Sequence, residues 1–267
     1  MKNLFVILII SMAFVFAGCD DDNDSSEQGV ISIETWGEEF IEVGIPAEEF
    51  DDGWSITFDK FIVNLGQIHF NGQEFTTSYL VDLVQEGPHF LVDETTAVGA
   101  VEQFDYSLLI ADGSSENVNL ENEDVQLMEE NNYSLYVSGS ATLDGSTLVF
   151  NWGFSESANY VNCHVAGEIE KDQETAVQLT IHGDHLFYTS LVDSEAGLGF
   201  DAIANCDTDE DGEITREELF NFSGIDFSSL DNYDVPGGSS IDNMWDYLAV
   251  QVKTVGHIDG EGHCEME

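Results

Sequence analysis

Apolar side chains recur at every second position through much of this chain, and that period dictates the backbone they can share. Trp54, Ile56 and Phe58 alternate with polar residues, and Phe61, Val63 and Leu65 then alternate on the opposite parity. Successive side chains of an extended strand point to opposite faces, so each set marks one buried face. The change of parity predicts a β-bulge near Lys60. Phe104, Tyr106, Leu108 and Ile110 repeat the pattern, as do Val177, Leu179 and Ile181, and Tyr79 to Val84 adds a short apolar strand. Tyr133, Leu135 and Val137 connect to Leu148, Phe150 and Trp152 through Asp144-Gly145, a two-residue hairpin signal. Short strands punctuated by Gly, Asn and Asp predict a mostly β fold, an antiparallel β-sandwich over residues 30–267, with these aromatic side chains in its core.

After His182 the period becomes helical. Ile241, Met244, Trp245, Leu248 and Val252 fall on one helical stripe, predicting a core-facing helix at about 240–253 with Ser240 as its N-cap and Asp242 in its first turn. A second helical region at about 195–222 consists of an entering helix from Glu195 to Cys206 and an exiting helix from Arg216 to Phe222. Between them runs Asp-Thr-Asp-Glu-Asp-Gly-Glu-Ile-Thr-Arg-Glu-Glu, residues 207–218. Asp207, Asp209 and Asp211 are spaced to aim carboxylates at one centre, and Gly212 permits the sharp turn. Glu213 would offer its backbone carbonyl, Thr215 would act directly or through water, and Glu218 would close the site with both oxygens. This pattern resembles an EF-hand calcium loop, in which a hard cation meets oxygen ligands. Asp20, Asp22 and Asp24 imitate its first three positions, but no Gly follows and Ile31 stands where the closing Glu belongs.

The first residues read as a targeting segment. Lys2 precedes an apolar run from Leu4 to Phe16, too short for a comfortable membrane span and ending in small residues. Phe16-Ala17-Gly18-Cys19 resembles a bacterial lipobox, with Phe16 where Leu is commoner. Residues 1–19 are therefore expected to be a lipoprotein signal peptide with Cys19 as the lipidated residue, and 20–29 a flexible acidic tether. The expected location is a bacterial membrane, with the protein anchored as a lipoprotein on the periplasmic side or the cell surface.

Charge narrows the partners. With 54 acidic and 5 basic residues the net charge is −49. Phosphate binding needs a basic surface, so nucleic acid is excluded. Anionic lipid surfaces would repel the body, leaving the lipid on Cys19 to hold it to the membrane. Acid spread along the whole chain, with Lys nearly absent, reads as general surface solvation rather than as many separate cation sites. The pattern names no protein or small-molecule partner.

Cys163, Cys206 and Cys264 remain after Cys19, and an exported compartment permits one disulfide among them. Three pairings are open. Cys264 is favoured as one partner because it would anchor the C-terminal tail.

Histidine supplies a second candidate site. His182-Gly183-Asp184-His185 follows a strand and reads as a turn, which would bring its ends within roughly 7 Å between Cα atoms. Two imidazoles would converge there, with Asp184 as a further ligand or an orienting group, and His257 or His263 as the distant ligand. Such nitrogen donors suit copper or zinc, not calcium. The bland alternative is that His182 and His185 cap a strand end while His257 and His263 lie in an exposed tail. Nucleophile elbows, zinc-protease helices and nucleotide-binding loops are all missing from the sequence, so an enzyme is not expected. A metal-dependent hydrolase at His182 and His185 is the least favoured possibility.

The stretch from Gly66 to Ala111, with Leu80-Val81-Asp82-Leu83 between two strands, resembles small exported Ig-like or transthyretin-like sandwich domains. The same layout is similar to that of MbnP-like copper-binding proteins. The resemblance implies an exported sandwich and transfers no ligand residue. The expected protein is thus a lipid-anchored, calcium-binding envelope protein whose calcium is structural. The alternative is a copper or zinc capture protein centred on His182 and His185.

Overall fold

The computed structural model describes residues 27–191, 196–222, 241–260 and 262–267. The predicted signal peptide, Cys19, most of the tether, Glu195 and Ser240 lie outside the described residues.

The chain is mostly β, and its two larger sheets bury their facing sides in one core. The smaller sheet runs Gly256–Ile258, Glu174–Ile181, Gln28–Trp36, His89–Ala97. At the centre of the larger is Ser55–Phe70, a long strand paired with Leu135–Leu143, Gln73–Asp82 and Phe104–Leu108. Ile31, Ile33, Val177, Leu179 and Ile181 from one sheet share a hydrophobic cluster with Phe61, Val63, Leu65, Val137, Phe150 and Trp152 from the other. These period-two residues are therefore core, as their spacing predicts, whereas Ile110 lies beyond the end of strand Phe104–Leu108 and is exposed.

Two local signals hold in detail. The register of Ser55–Phe70 against Leu135–Leu143 slips between Phe58 and Lys60, where the parity changes. The hairpin turns at Asp144 (φ 52°) and Gly145 (φ 86°), both in the left-handed region that a two-residue turn requires.

Two expectations need correction, while the sandwich itself is mostly antiparallel as expected, with the long strand Gln28–Trp36 running parallel to Glu174–Ile181. Strands so far apart in sequence are free of the hairpin connection that forces neighbours antiparallel. The tether ends sooner than residue 29, since Gln28 and Gly29 already pair with Ala97 and Thr96. Backbone hydrogen bonding recruits these two residues although neither has an apolar side chain. The entering helix shrinks to Asp201–Ala204. Leu198 is drawn into bridges with Phe50 and Tyr188, and Asp52 Oδ2 accepts from the N–H groups of Phe200 and Asp201 at 2.6 and 2.7 Å.

The C-terminal helix is Met244–Gln251, followed by a 3-10 turn at Val252–Thr254. Its N-cap is Asn243, whose side chain accepts from Asp246 N at 2.9 Å. Asp246 rather than Asp242 supplies the acid in its first turn. Met244, Trp245, Leu248 and Val252 are buried, as the stripe predicts. A helix that the hydropathy pattern does not announce, Asn122–Asn131, covers the outer face of the larger sheet. Ile62, Leu80, Ala111, Leu120 and Met128 form a second small core beneath it, and Asp124 pairs with Lys60.

Candidate metal centre

Strand pairing places the histidines. Glu174–Ile181 runs antiparallel to Gly256–Ile258 with Thr180 opposite His257. His182, two residues beyond Thr180, therefore projects from the same face as His257, its diagonal neighbour. The chain then enters a tight 3-10 turn, Gly183–Phe187. Side chains three apart nearly eclipse in a 3-10 helix, so His185 comes round to the side of His182. The predicted turn is thus real, and its geometry joins both residues to the distant strand.

One nitrogen from each of His182, His185 and His257 lies within 4.8 Å of the others, a group that could hold a metal ion. The rings of His182 and His257 stack at 4.3 Å between centroids, and the His185 ring stands edge-on to both. Two glycines allow this approach. A Cβ at Gly256 would lie 2.3 Å from Tyr160 Cζ, and one at Gly183 would lie 2.7 Å from Ile41 Cγ1. Tyr106 donates to the His257 carbonyl at 2.7 Å, fixing that strand from below.

Hydrogen bonding sets the chemistry of His185. Thr254 Oγ1 donates to Gln251 O at 2.8 Å, so toward Nδ1 of His185, 3.0 Å away, it can only accept. Nδ1 carries the proton and Nε2 keeps its lone pair, the form that binds metal. Burial first, and then the neighbouring His182, lowers the pKa of His185 to about 3. Burial and the adjacent imidazoles of His182 and His185 lower that of His257 likewise to about 3. Both rings are neutral at ordinary pH. Nδ1 of His257 is buried without a hydrogen-bond partner. An unpaired buried polar atom costs about 1–3 kcal/mol, and a bound ion would remove that cost.

A pocket of about 680 Å³ opens beside the cluster, lined among others by His185, His257, Tyr160, Tyr188 and Lys253. His263 stands exposed on its wall, its ring 6.4 Å from that of His257 and outside the convergent group. His263 is accordingly corrected from ligand to rim. Its main chain is fixed by a bond from His164 N to its carbonyl at 3.1 Å and by the Cys163–Cys264 disulfide. Cys264 is thus bridged, as favoured, and Cys206 is left free and buried. Burial pushes the Cys206 thiol up to about 12, and its Sγ donates to Ala202 O at 3.4 Å, apart from the convergent histidines. Asp184 is buried but does not join the three nitrogens. Glu38, which no sequence pattern singles out, places Oε2 3.6 Å from Nε2 of His182.

The acidic loop forms a second cluster. Asp207, Asp209 and Asp211 bring one carboxylate oxygen each within 4.8 Å of the others. Gly212, at φ 87°, makes the sharp turn and donates to Asp207 Oδ2 at 3.1 Å. Oδ1 of Asp207 is buried with no hydrogen-bond partner, the orphan that a calcium ion would satisfy. Glu218 does not complete the cluster. Its oxygens accept from Thr208 N at 3.0 Å and Thr215 N at 2.9 Å, and with Thr215 it forms the capping box of helix Arg216–Asn221. Glu213 and Ile214 pair with Val149 and Phe150, which ties the loop to the larger sheet. Arg216 lies over the Trp245 ring at 4.7 Å, and Trp245 stacks on Phe154 at 4.5 Å, so loop, C-terminal helix and sheet form one body.

Comparison with protein-family models, with curated proteins and with solved structures finds no match, so the functional case rests on the chemistry of these side chains.

Proposed function

We propose that this chain is an exported, lipid-anchored metal-binding protein. In it His182, His185 and His257 hold zinc or copper, and the loop from Asp207 to Glu218 holds calcium. What supports the first site above all is the convergence of three histidine nitrogens, two of them on rings kept neutral by burial. Imidazole nitrogen is a borderline donor that suits zinc and copper, whereas the all-oxygen loop suits calcium. The pocket beside His185 and His257 gives an ion a route from solvent. Calcium in the loop would act as a fastening, because the loop is joined to both the sheet and the C-terminal helix.

Elemental analysis of the mature protein, equilibrated with calcium and with zinc or copper and then desalted, tests both sites. The expected content is one calcium and one transition-metal ion per chain. A His182→Ala, His185→Ala, His257→Ala variant should keep its calcium and lose the other ion. Calcium alone in the unsubstituted protein would remove the histidine site. Mass spectrometry of the N-terminus should find a lipid on Cys19; an intact Met1 would remove the anchor.

A further inference from the structure

We infer that Glu38 is a positioning residue of the histidine site: facing Nε2 of His182, it leaves Nδ1 to the metal and supplies the negative charge that favours a divalent ion over a monovalent one. This deepens the proposed metal site and rests on it. Two acceptors converge on Nε2 of His182, the Gly260 carbonyl at 3.4 Å and Glu38 Oε2 at 3.6 Å. A nitrogen between two acceptors is the one that carries the proton, so the lone pair is at Nδ1. The Gly260 carbonyl is itself held by Thr180 Oγ1 at 2.9 Å, which makes this arrangement a fixed feature of the sheet.

The backbone at Glu38 is strained in a way that its own helix does not require. Glu38 begins the short helix Glu38–Glu42 at φ 56°, a left-handed conformation that disfavours side chains. Such strain persists where surrounding structure over-determines it and gathers at working sites. Here the helix is pressed onto the histidine turn by Ile41 against Gly183. That contact brings Glu38 to His182.

Charge gives the carboxylate its consequence. Imidazole ligands bring no charge of their own to a bound ion, and no carboxylate belongs to the convergent group. Attraction between Glu38 and the ion scales with ionic charge, so its presence favours a doubly over a singly charged ion. The sulfur on this side does not oppose that preference. Cys264 is in a disulfide, and Met266 stands exposed on the terminal strand.

Glu38→Gln in the full chain keeps size and an acceptor while removing the charge. Competition titrations with Zn(II), and with Ag(I) as an air-stable singly charged probe, measure the selectivity. The expected result is a Zn(II) affinity lowered by about 10–100-fold, the usual effect of losing such a partner, with a distinctly smaller change for Ag(I). Nitrogen-15 NMR of the metal-free protein should show His182 protonated at Nε2, a preference kept in Glu38→Gln and weakened in Glu38→Ala. Unchanged Zn(II) affinity, an equal loss for both ions, or a proton on Nδ1 of His182 would each overturn the role. If the unsubstituted protein takes up neither ion, the metal site itself fails, and the NMR result still reports whether Glu38 orients His182.

Discussion

His185 donates from Nδ1 to the hydroxyl of Thr254, whose own proton is committed to the Gln251 carbonyl. This chain of bonds begins in the C-terminal helix and ends by freeing Nε2 of a buried imidazole. The helix is held in turn by Tyr247 and Gln251, which donate to the Tyr188 carbonyl at 2.8 and 2.9 Å. A candidate metal ligand on one element is thus oriented by another that carries none of the three convergent histidines.

Substitution should separate the ligands from the rim. His182→Ala, His185→Ala and His257→Ala should each lower zinc affinity by at least about 100-fold, the upper end of what loss of an orienting partner alone produces. His263→Ala should leave it nearly unchanged. A competition titration against a chromogenic chelator checks all four.

Acid should destabilise the metal-free protein through the same rings. His185 and His257 titrate near 6.5 when unfolded and at about 3 when folded. Between those values the unfolded chain binds the extra protons, so stability is full above pH 6.5 and is lost as pH falls toward 3. His185→Gln, which cannot take up a proton, should flatten the fall. Thermal melts of both chelator-treated proteins across this window provide the comparison; identical slopes would contradict it.

Calcium should stabilise through the acidic loop. At a hundred times its dissociation constant, an ion that binds only the folded state adds about 2.7 kcal/mol. Asp207→Ala should abolish the rise in Tm that calcium produces and leave the chelated protein little changed. Glu218→Ala should lower Tm in chelator as well, because losing its half of the capping box costs roughly 0.5–2 kcal/mol of stability.

Breaking the disulfide should cost stability without emptying the histidine site. Cys163 and Cys264 are 101 residues apart, and closing a loop of that length stabilises by about 4.7 kcal/mol in the chain-entropy account. His257 is held independently by its strand pairing and by Tyr106. A Cys163→Ser, Cys264→Ser protein should melt lower and still bind zinc with unchanged affinity.

Gly183 should tolerate no side chain. Its missing Cβ would meet Ile41 Cγ1 at 2.7 Å, so Gly183→Ala should destabilise by about 1–3 kcal/mol, and it should cost less in an Ile41→Ala background, where Cγ1 is gone. Denaturant melts of the single and double variants check this.

Much of the fold was legible because it is written in local periods. The parity change at Lys60 and the Asp144-Gly145 pair each determine their own neighbourhood, and the structure has the bulge and the turn there. The parallel pairing of Gln28–Trp36 was not legible, since it depends on a strand from the far end of the chain. Nor was the burial of Ile62, which reflects a helix packed on the second face of its sheet. In the histidine site, His182 and His185 announced themselves by spacing. His257 and His263 looked equivalent in sequence, and only strand register separates them. Glu38 and Thr254 left no sequence signal, because one acid among 54 and one hydroxyl in a helix exit are invisible until tertiary contacts select them.

X-ray absorption at the zinc or copper edge of the metal-loaded full-length protein most directly tests the claim that three imidazoles hold the ion. Three histidine nitrogens at about 2.0–2.1 Å are predicted for zinc, falling to two in His257→Ala. A first shell of oxygens alone, or one unchanged by His257→Ala, would contradict it.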